Sequence, residues 1–236
     1  MLKVSIIVPA YNESKTIIEV LAKIRIQSVE GFEFEVIVVD DGSTDGTCDI
    51  LEKYPELYST LIRQNANRGK GAAVKAGLKE AKGDYILFQD ADLEYDPADY
   101  NKLFIPISRF KADVVMGSRM IAPEFIRVYN FWNKVGNRLI TFIFNILNNT
   151  TFTDIYSCYL IYRRDLVNPD SLVSEGWEQH AEILSFSINK AVHIYEVPIS
   201  FHGRNYDEGK KIRAHNTFAV IWMIIKMRFF FLFSSE

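Results

Sequence analysis

The sequence predicts an α/β fold, a mostly parallel sheet flanked by helices. Nearly continuous apolar runs recur at 4–8, 36–39, 85–88 and 114–116, as in parallel strands covered on both faces. Amphipathic stretches separate them. The runs end in polar motifs, at the edge where ligands bind in such sheets.

The first helix is expected to place Ile17, Val20, Leu21 and Ile24 on one face, behind a Thr16/Glu19 capping box. A second is expected over 44–53, with Ser43 as N-cap and Pro55 beyond its end, and a third over 71–81. After Arg119 the texture changes to an aromatic-rich helix over 125–148, a strand at 159–162, a helix over 177–189 and a strand at 192–197. From residue 212 the tail is apolar and helical with basic interruptions. There is no internal repeat or low-complexity linker, so one domain over 1–212 with an amphipathic helical tail over 213–236 is expected.

With 236 residues, 48% of them hydrophobic and 24% charged, the chain has enough apolar material for a full core, and disorder or a fibrous repeat is excluded. Cys48 and Cys158 are far apart without metal-binding spacing, which argues against a disulfide framework or zinc site and for a reducing compartment. Met1-Leu2-Lys3 leads directly into an apolar strand, so no signal peptide is expected. The longest apolar stretch, 218–225, falls well short of the roughly 20 residues needed to cross a bilayer. The net charge of -3 is uneven: 119–140 carries +3 and 202–228 carries +4, leaving -10 elsewhere. Basic segments with interleaved aromatics point to an anionic partner, phosphate or a lipid surface. Nothing points to nucleic acid.

The strongest candidate site is Gln89-Asp90-Ala91-Asp92-Leu93-Glu94, directly after the 85–88 strand. Side chains alternate along an extended segment, so Asp90, Asp92 and Glu94 are expected to present three carboxyl groups to one spot. Hard oxygen ligands so arranged suit Mg²⁺ or Mn²⁺, which in turn hold a diphosphate. The plainer alternative is an acidic turn in which Asp96-Pro97 starts the next helix.

Asp40-Asp41-Gly42-Ser43-Thr44-Asp45 follows the second strand. Adjacent aspartates at a buried strand end repel unless something offsets them, so Asp41 is a candidate acceptor for a nucleobase or ribose, against ordinary turn and capping chemistry. In Pro9-Ala10-Tyr11-Asn12-Glu13, Tyr11 is a candidate to stack on a base and Glu13 to bond a nucleoside sugar. Asn67-Arg68-Gly69-Lys70-Gly71 sets a lysine between glycines at a helix amino end, where backbone N–H groups favour phosphate, but without the spacing of a Walker loop or a GxGxxG turn.

Together with Gly117-Ser118-Arg119, these segments occur in the order and spacing of glycosyltransferase family 2. More narrowly, the chain from 4 to 212 resembles the dolichyl-phosphate mannose synthase branch and its bacterial polyprenyl-phosphate relatives. The resemblance implies the Rossmann-like GT-A fold. It implies that Pro9, Tyr11, Glu13 and Asp41 hold the nucleoside, with Lys70 and Asp90 also on the nucleotide sugar, and that Asp90, Asp92 and Glu94 hold the metal. Glu94 stands where members often have glutamine. Arg119 is then expected to meet the acceptor phosphate or the donor diphosphate, with Arg127 also at the acceptor phosphate.

Further along, Thr153-Asp154-Ile155-Tyr156-Ser157-Cys158-Tyr159 is similar to a segment of many bacterial members. Gly176-Trp177-Glu178-Gln179-His180-Ala181-Glu182 resembles a helix start with an active-site carboxylate at Glu182. Asp154 and Glu182 are therefore acceptor-site candidates. Glu196-Val197-Pro198-Ile199, Arg204 and Glu208-Gly209-Lys210-Lys211-Ile212 resemble a basic loop closing over the donor diphosphate, with Arg204, Lys210 and Lys211 as its cations. Arg213-Ala214-His215-Asn216 departs from the bacterial pattern, where an acidic residue often appears.

The expected reaction is an inverting transfer from a UDP- or GDP-sugar to a polyprenyl (dolichyl-like) phosphate, with Mg²⁺ or Mn²⁺ as cofactor. Asp92, Asp154, Glu182, Arg119 and Arg204 are its catalytic candidates. A peripheral position on the cytoplasmic face of a membrane is expected, through the mixed aromatic and basic segments 125–147 and 218–233. One alternative is transfer to a growing surface polysaccharide or glycolipid. Another is a non-catalytic nucleotide-binding module that docks on a membrane.

Overall fold

The computed structural model describes residues 1–121, 131–203 and 216–233. Its centre is a seven-stranded sheet of order β3-β2-β1-β4-β6-β5-β7. The strands are β1 (Leu2–Ala10), β2 (Phe32–Asp40), β3 (Thr60–Arg63), β4 (Tyr85–Phe88), β5 (Val114–Ser118), β6 (Leu160–Arg163) and β7 (Ile194–Pro198). β1 to β4 run parallel, and β5 pairs parallel with β7. β6 lies between β4 and β5, antiparallel to both. The sheet is thus mostly parallel, as expected.

The helices are α1 (Ile17–Arg25), α2 (Thr47–Leu51), α3 (Lys70–Glu80), α4 (Tyr100–Phe110), α5 (Phe131–Asn148), α6 (Gln179–Lys190) and α7 (Asn216–Phe233). The apolar runs are the strand cores: Ile6, Ile7, Val8, Val38, Val39, Ile86, Leu87, Val114, Val115 and Met116 are all fully buried. α3 lies close on β1 and β2, because a side chain at Gly77 would run into Ile7 at 2.7 Å. α7 packs on α5 and α6, burying Val220, Met223, Ile224 and Met227 and leaving Phe218, Trp222, Phe229 and Phe233 exposed.

Two local expectations are corrected. The Thr16/Glu19 capping box does not form; the Thr16 hydroxyl instead contacts the Ala91 carbonyl at 2.7 Å, tying the start of α1 to the turn after β4. The second helix covers only Thr47–Leu51, because the Ser43 hydroxyl accepts from the Asn12 N–H and leaves no cap at 43.

Candidate active site

Parallel register brings the motifs together. Ala10 at the end of β1 pairs with Asp40 at the end of β2, and Ile7 pairs with Phe88 at the end of β4. The loops after these strands open on a cavity of about 300 Å³ lined by Pro9, Tyr11, Glu13, Asp41, Lys70, Asp90, Asp92, Glu94 and Trp177, among others. A second cavity, about 180 Å³, adjoins it and shares Lys70, Asp90, Glu94 and Trp177. Its further walls include Tyr95, Arg119, Trp132, Ile140, Tyr156, Cys158, Gln179, His180, Phe201 and Val220.

Asp41 is buried, and its two oxygens accept from the backbone N–H groups of Arg68 and Gly69, both at 2.9 Å. Burial raises its pKa, and those two bonds work in the opposite direction. The N–H groups of Gly71 and Ala72 donate to the Glu175 carbonyl. These four donors of the glycine-rich segment are therefore committed within the protein, which corrects the expectation of a phosphate cradle there. Its glycines serve close approach instead: Gly69 has φ +100, and a Cβ on it would meet the Glu175 carbonyl oxygen at 2.4 Å.

The acidic motif is not extended. The chain turns after Asp90, Leu93 adopts φ 62, and Asp92 Oδ1 accepts from the Glu94 N–H at 3.2 Å. Gln89, fully buried, holds this turn: its side-chain oxygen accepts from the Tyr100 and Tyr159 hydroxyls, and its amide donates to the Asp90 and Tyr95 carbonyls. Asp90, Asp92 and Glu94 still line one cavity, but through a turn rather than strand alternation. Among the described residues no three acidic, histidine or cysteine side chains are already gathered as a metal cluster. The all-oxygen character of the three carboxyl groups nevertheless fits Mg²⁺ or Mn²⁺ completed by phosphate oxygens.

Lys70 Nζ lies 2.5 Å from Asp90 Oδ1 and 5.1 Å from the centre of the Trp177 ring. Burial acts to raise the Asp90 pKa, but Lys70 outweighs it and holds the carboxyl below its ordinary value. Lys70 in turn is raised: burial opposes its charge and Asp90 overcomes burial. Cys158 stays a thiol, since burial, then the Asp90 charge, push its pKa up.

Arg119 grips Asp154 with Nε and Nη2, at 2.6 and 2.9 Å, while Nη1 donates to the Tyr95 hydroxyl and Nη2 also to the Tyr156 carbonyl. Among the described residues these bonds use four of its five N–H groups. The guanidinium lies 5.0 Å from the Phe201 ring centre. Asp154 is 1% exposed; burial opposes its charge, but Arg119 holds its pKa down. Arg119 thus lines the second cavity, and Asp154 fixes it there.

Glu182 corrects the expectation of an active-site carboxylate. It is buried, its two oxygens accept from the N–H groups of Val173 and Ser174 at 2.9 and 3.0 Å, and it lines neither cavity. The residues of this helix that face the second cavity are Gln179 and His180, which the motif reading passed over. Two positions along a helix are about 200° apart, so His180 faces the cavity while Glu182 faces the loop behind. Arg127, Arg204, Lys210 and Lys211 lie outside the described residues.

A cleft at the carboxyl edge of such a sheet, walled by carboxylates and joined to a second, aromatic cavity, is the arrangement expected of the GT-A fold. The model of Glycosyl transferase family 2 matches residues 5–169, and the chain belongs to that family. It is 30% identical over 212 residues to a dolichol-phosphate mannosyltransferase of Pyrococcus furiosus, covering 89% of this chain and 59% of that protein. It is 31% identical over 224 residues to a dolichyl-phosphate beta-glucosyltransferase of Saccharomyces cerevisiae, covering 84% of this chain and 66% of that protein. The chain therefore spans about three-fifths of the length of the curated relatives it matches. Among solved structures, glucosyl-3-phosphoglycerate synthase from Mycobacterium tuberculosis, in complex with Mn²⁺, UDP-glucose and phosphoglyceric acid, superposes with a TM-score of 0.70 at 20% identity, over 96% of this chain and 80% of that one. That likeness establishes the GT-A fold.

Proposed function

We propose that the chain transfers a sugar, with inversion, from a UDP- or GDP-sugar to a polyprenyl (dolichyl-like) phosphate. The observation that carries this reading is the second cavity. It joins the nucleotide-sized cleft at Lys70 and Asp90, its walls are rich in aromatic side chains, and the two carboxylates expected to serve as a base are both held elsewhere. Asp154 is locked on Arg119 and Glu182 on backbone N–H groups. A hydroxyl acceptor needs a base to take its proton, whereas a phosphate arrives already ionised. The names of the relatives, which pair dolichyl phosphate with mannose or glucose transfer, support the same acceptor class.

Pro9, Tyr11, Glu13 and Asp41 would hold the nucleoside, and Lys70 would face its phosphates. Asp90, Asp92 and Glu94 would hold Mg²⁺ or Mn²⁺, which when bound neutralises charge on the departing diphosphate. The acceptor phosphate oxygen attacks the anomeric carbon as the bond to the nucleoside diphosphate breaks, and the electron pair leaves with the diphosphate. Arg119, with Arg127, would orient the acceptor, and Arg204, Lys210 and Lys211 would close over the donor. α5 and α7 would rest on the membrane bearing the lipid acceptor, so that the prenyl chain enters between aromatic side chains. A radiolabelled sugar moving into an acid-labile polyprenyl fraction with Mn²⁺, and not after chelation, is the expected result. Label found only in an acid-stable glycan would sink the reading.

A further inference from the structure

Two buried polar atoms on residues that line the second cavity have no hydrogen-bond partner among the described residues: Gln179 Oε1 and His180 Nε2. Their residues are only 4% and 8% exposed. Native proteins leave few buried polar groups unpaired, because each one forfeits its bonds to water. Neither side chain is loosely placed. The first turn of α6 presses on the start of α3, where a Cβ on Gly71 would lie 3.0 Å from Gln179 Cβ. The His180 ring stands edge-on to Tyr156 at 5.8 Å, and the Tyr156 hydroxyl is anchored on the Trp177 carbonyl at 2.6 Å.

The chemistry of the two atoms selects the ligand group. An ionised phosphate offers only acceptors and gives nothing to an amide oxygen. A hydroxyl both donates and accepts, matching an amide oxygen beside an imidazole. Burial, then the charge of Lys70, bring the His180 pKa down to about 4, so near neutral pH the ring is uncharged and holds one donor and one acceptor nitrogen. The pair lies in the cavity that shares Lys70 and Asp90 with the nucleotide cleft, next to where a sugar leaving that cleft must pass.

We propose that Gln179 and His180 form the site that reads hydroxyl groups of the transferred sugar, and so set which nucleotide sugar is used. This rests on the nucleotide reading of the first cavity and adds the residues that choose the sugar. A site built to bond a hydroxyl strongly rejects a ligand that lacks it or holds it in another orientation.

Calorimetric titrations with Mn²⁺ and UDP, GDP, UDP-glucose, UDP-galactose, UDP-N-acetylglucosamine and GDP-mannose test the proposal. His180→Phe keeps a ring against Tyr156 without its nitrogens, Gln179→Met keeps the length without the oxygen, and His180→Gln restores a polar group. In the first two variants the preferred sugar nucleotide is expected to lose about ten-fold or more in affinity, with the bare diphosphate unchanged. His180→Gln should recover part of that loss. Equal losses for sugar nucleotide and bare diphosphate, or no loss for either, overturn the assignment. Should His180→Phe fail to fold, Gln179→Met and His180→Gln decide it by the same comparison. Wild-type protein that binds none of the six ligands overturns the nucleotide reading, and this proposal with it; variants that bind the diphosphate normally and treat sugars as the wild type does overturn this proposal alone.

Discussion

Lys70 Nζ stands 2.5 Å from Asp90 Oδ1, so the first residue of α3 and the loop after β4 are joined by an ion pair where the two cavities meet. Each side chain is 20% exposed, and a charge left alone in so shielded a place is costly. Lys70→Met or Asp90→Asn should each lower stability by about 2–4 kcal/mol in urea unfolding, and the double variant should recover much of the loss. Transfer should fall about 100-fold or more in all three, since in the proposed reaction both groups would face the departing diphosphate. Strictly additive stability losses would contradict the pairing.

His180 gives the fold a pH dependence of definite sign. Its ordinary pKa is 6.5, and burial followed by Lys70 lowers it to about 4, with Asp90 and Asp154 opposing and Arg119 assisting. Between those values the unfolded chain binds a proton that the folded chain refuses, so stability falls as pH falls from about 6.5 to about 4, by on the order of 3 kcal/mol. His180→Phe removes this component. Urea midpoints across that range should therefore fall less steeply in the variant than in the wild type, and parallel curves would contradict the burial of a neutral imidazole.

Glu182 is assigned to structure. Glu182→Gln keeps one acceptor for the Val173 and Ser174 N–H groups and loses the charge that strengthens both bonds, so stability should drop by about 1–2 kcal/mol. The turnover number of the folded variant should stay within about two-fold of wild type. A large fall in turnover with unchanged stability would return Glu182 to the chemistry.

The outer side of α7 carries Phe218, Trp222, Phe229 and Phe233 in one helical stripe with Lys226 among them, beside exposed Phe131, Trp132, Phe142 and Ile146 of α5. No helix among the described residues is long and apolar enough to cross a membrane. Binding to phosphatidylglycerol-rich vesicles is expected, weakened by salt, and Trp222→Glu with Phe229→Glu should reduce it about ten-fold or more in sedimentation. Unchanged binding would rule out this face.

Four of the five interior strands were legible because β1, β2, β4 and β5 are buried on both faces and read as continuous apolar runs. β3 was missed: Thr60–Arg63 is a short edge strand whose residues are at most partly buried, so no run marks it. The antiparallel placing of β6 between β4 and β5 depends on long-range pairing that local pattern does not encode. Among residues lining the first cavity, Tyr11, Glu13, Asp41, Asp90, Asp92 and Glu94 were readable because each follows a strand at one edge of the sheet, and Pro9 because it stands near the end of β1. Gln179 and His180, which line the second cavity, gave no signal of their own beside Glu182, the carboxylate on the other side of α6. Trp177, Tyr95 and Phe201 gave no signal beyond aromatic residues near turns, and only the fold brings them to the cavities.

Comparing a polyprenyl phosphate with the corresponding polyprenol as acceptor, with the same radiolabelled sugar nucleotide, Mn²⁺ and enzyme, tests most directly whether the second cavity serves an acceptor that is ionised before it enters. Sugar transfer to the phosphate, with none detectable to the alcohol, is the predicted result. Comparable transfer to the alcohol would mean that some group in the site takes a proton, and would contradict the reading of the second cavity as the site of an acceptor that is already ionised.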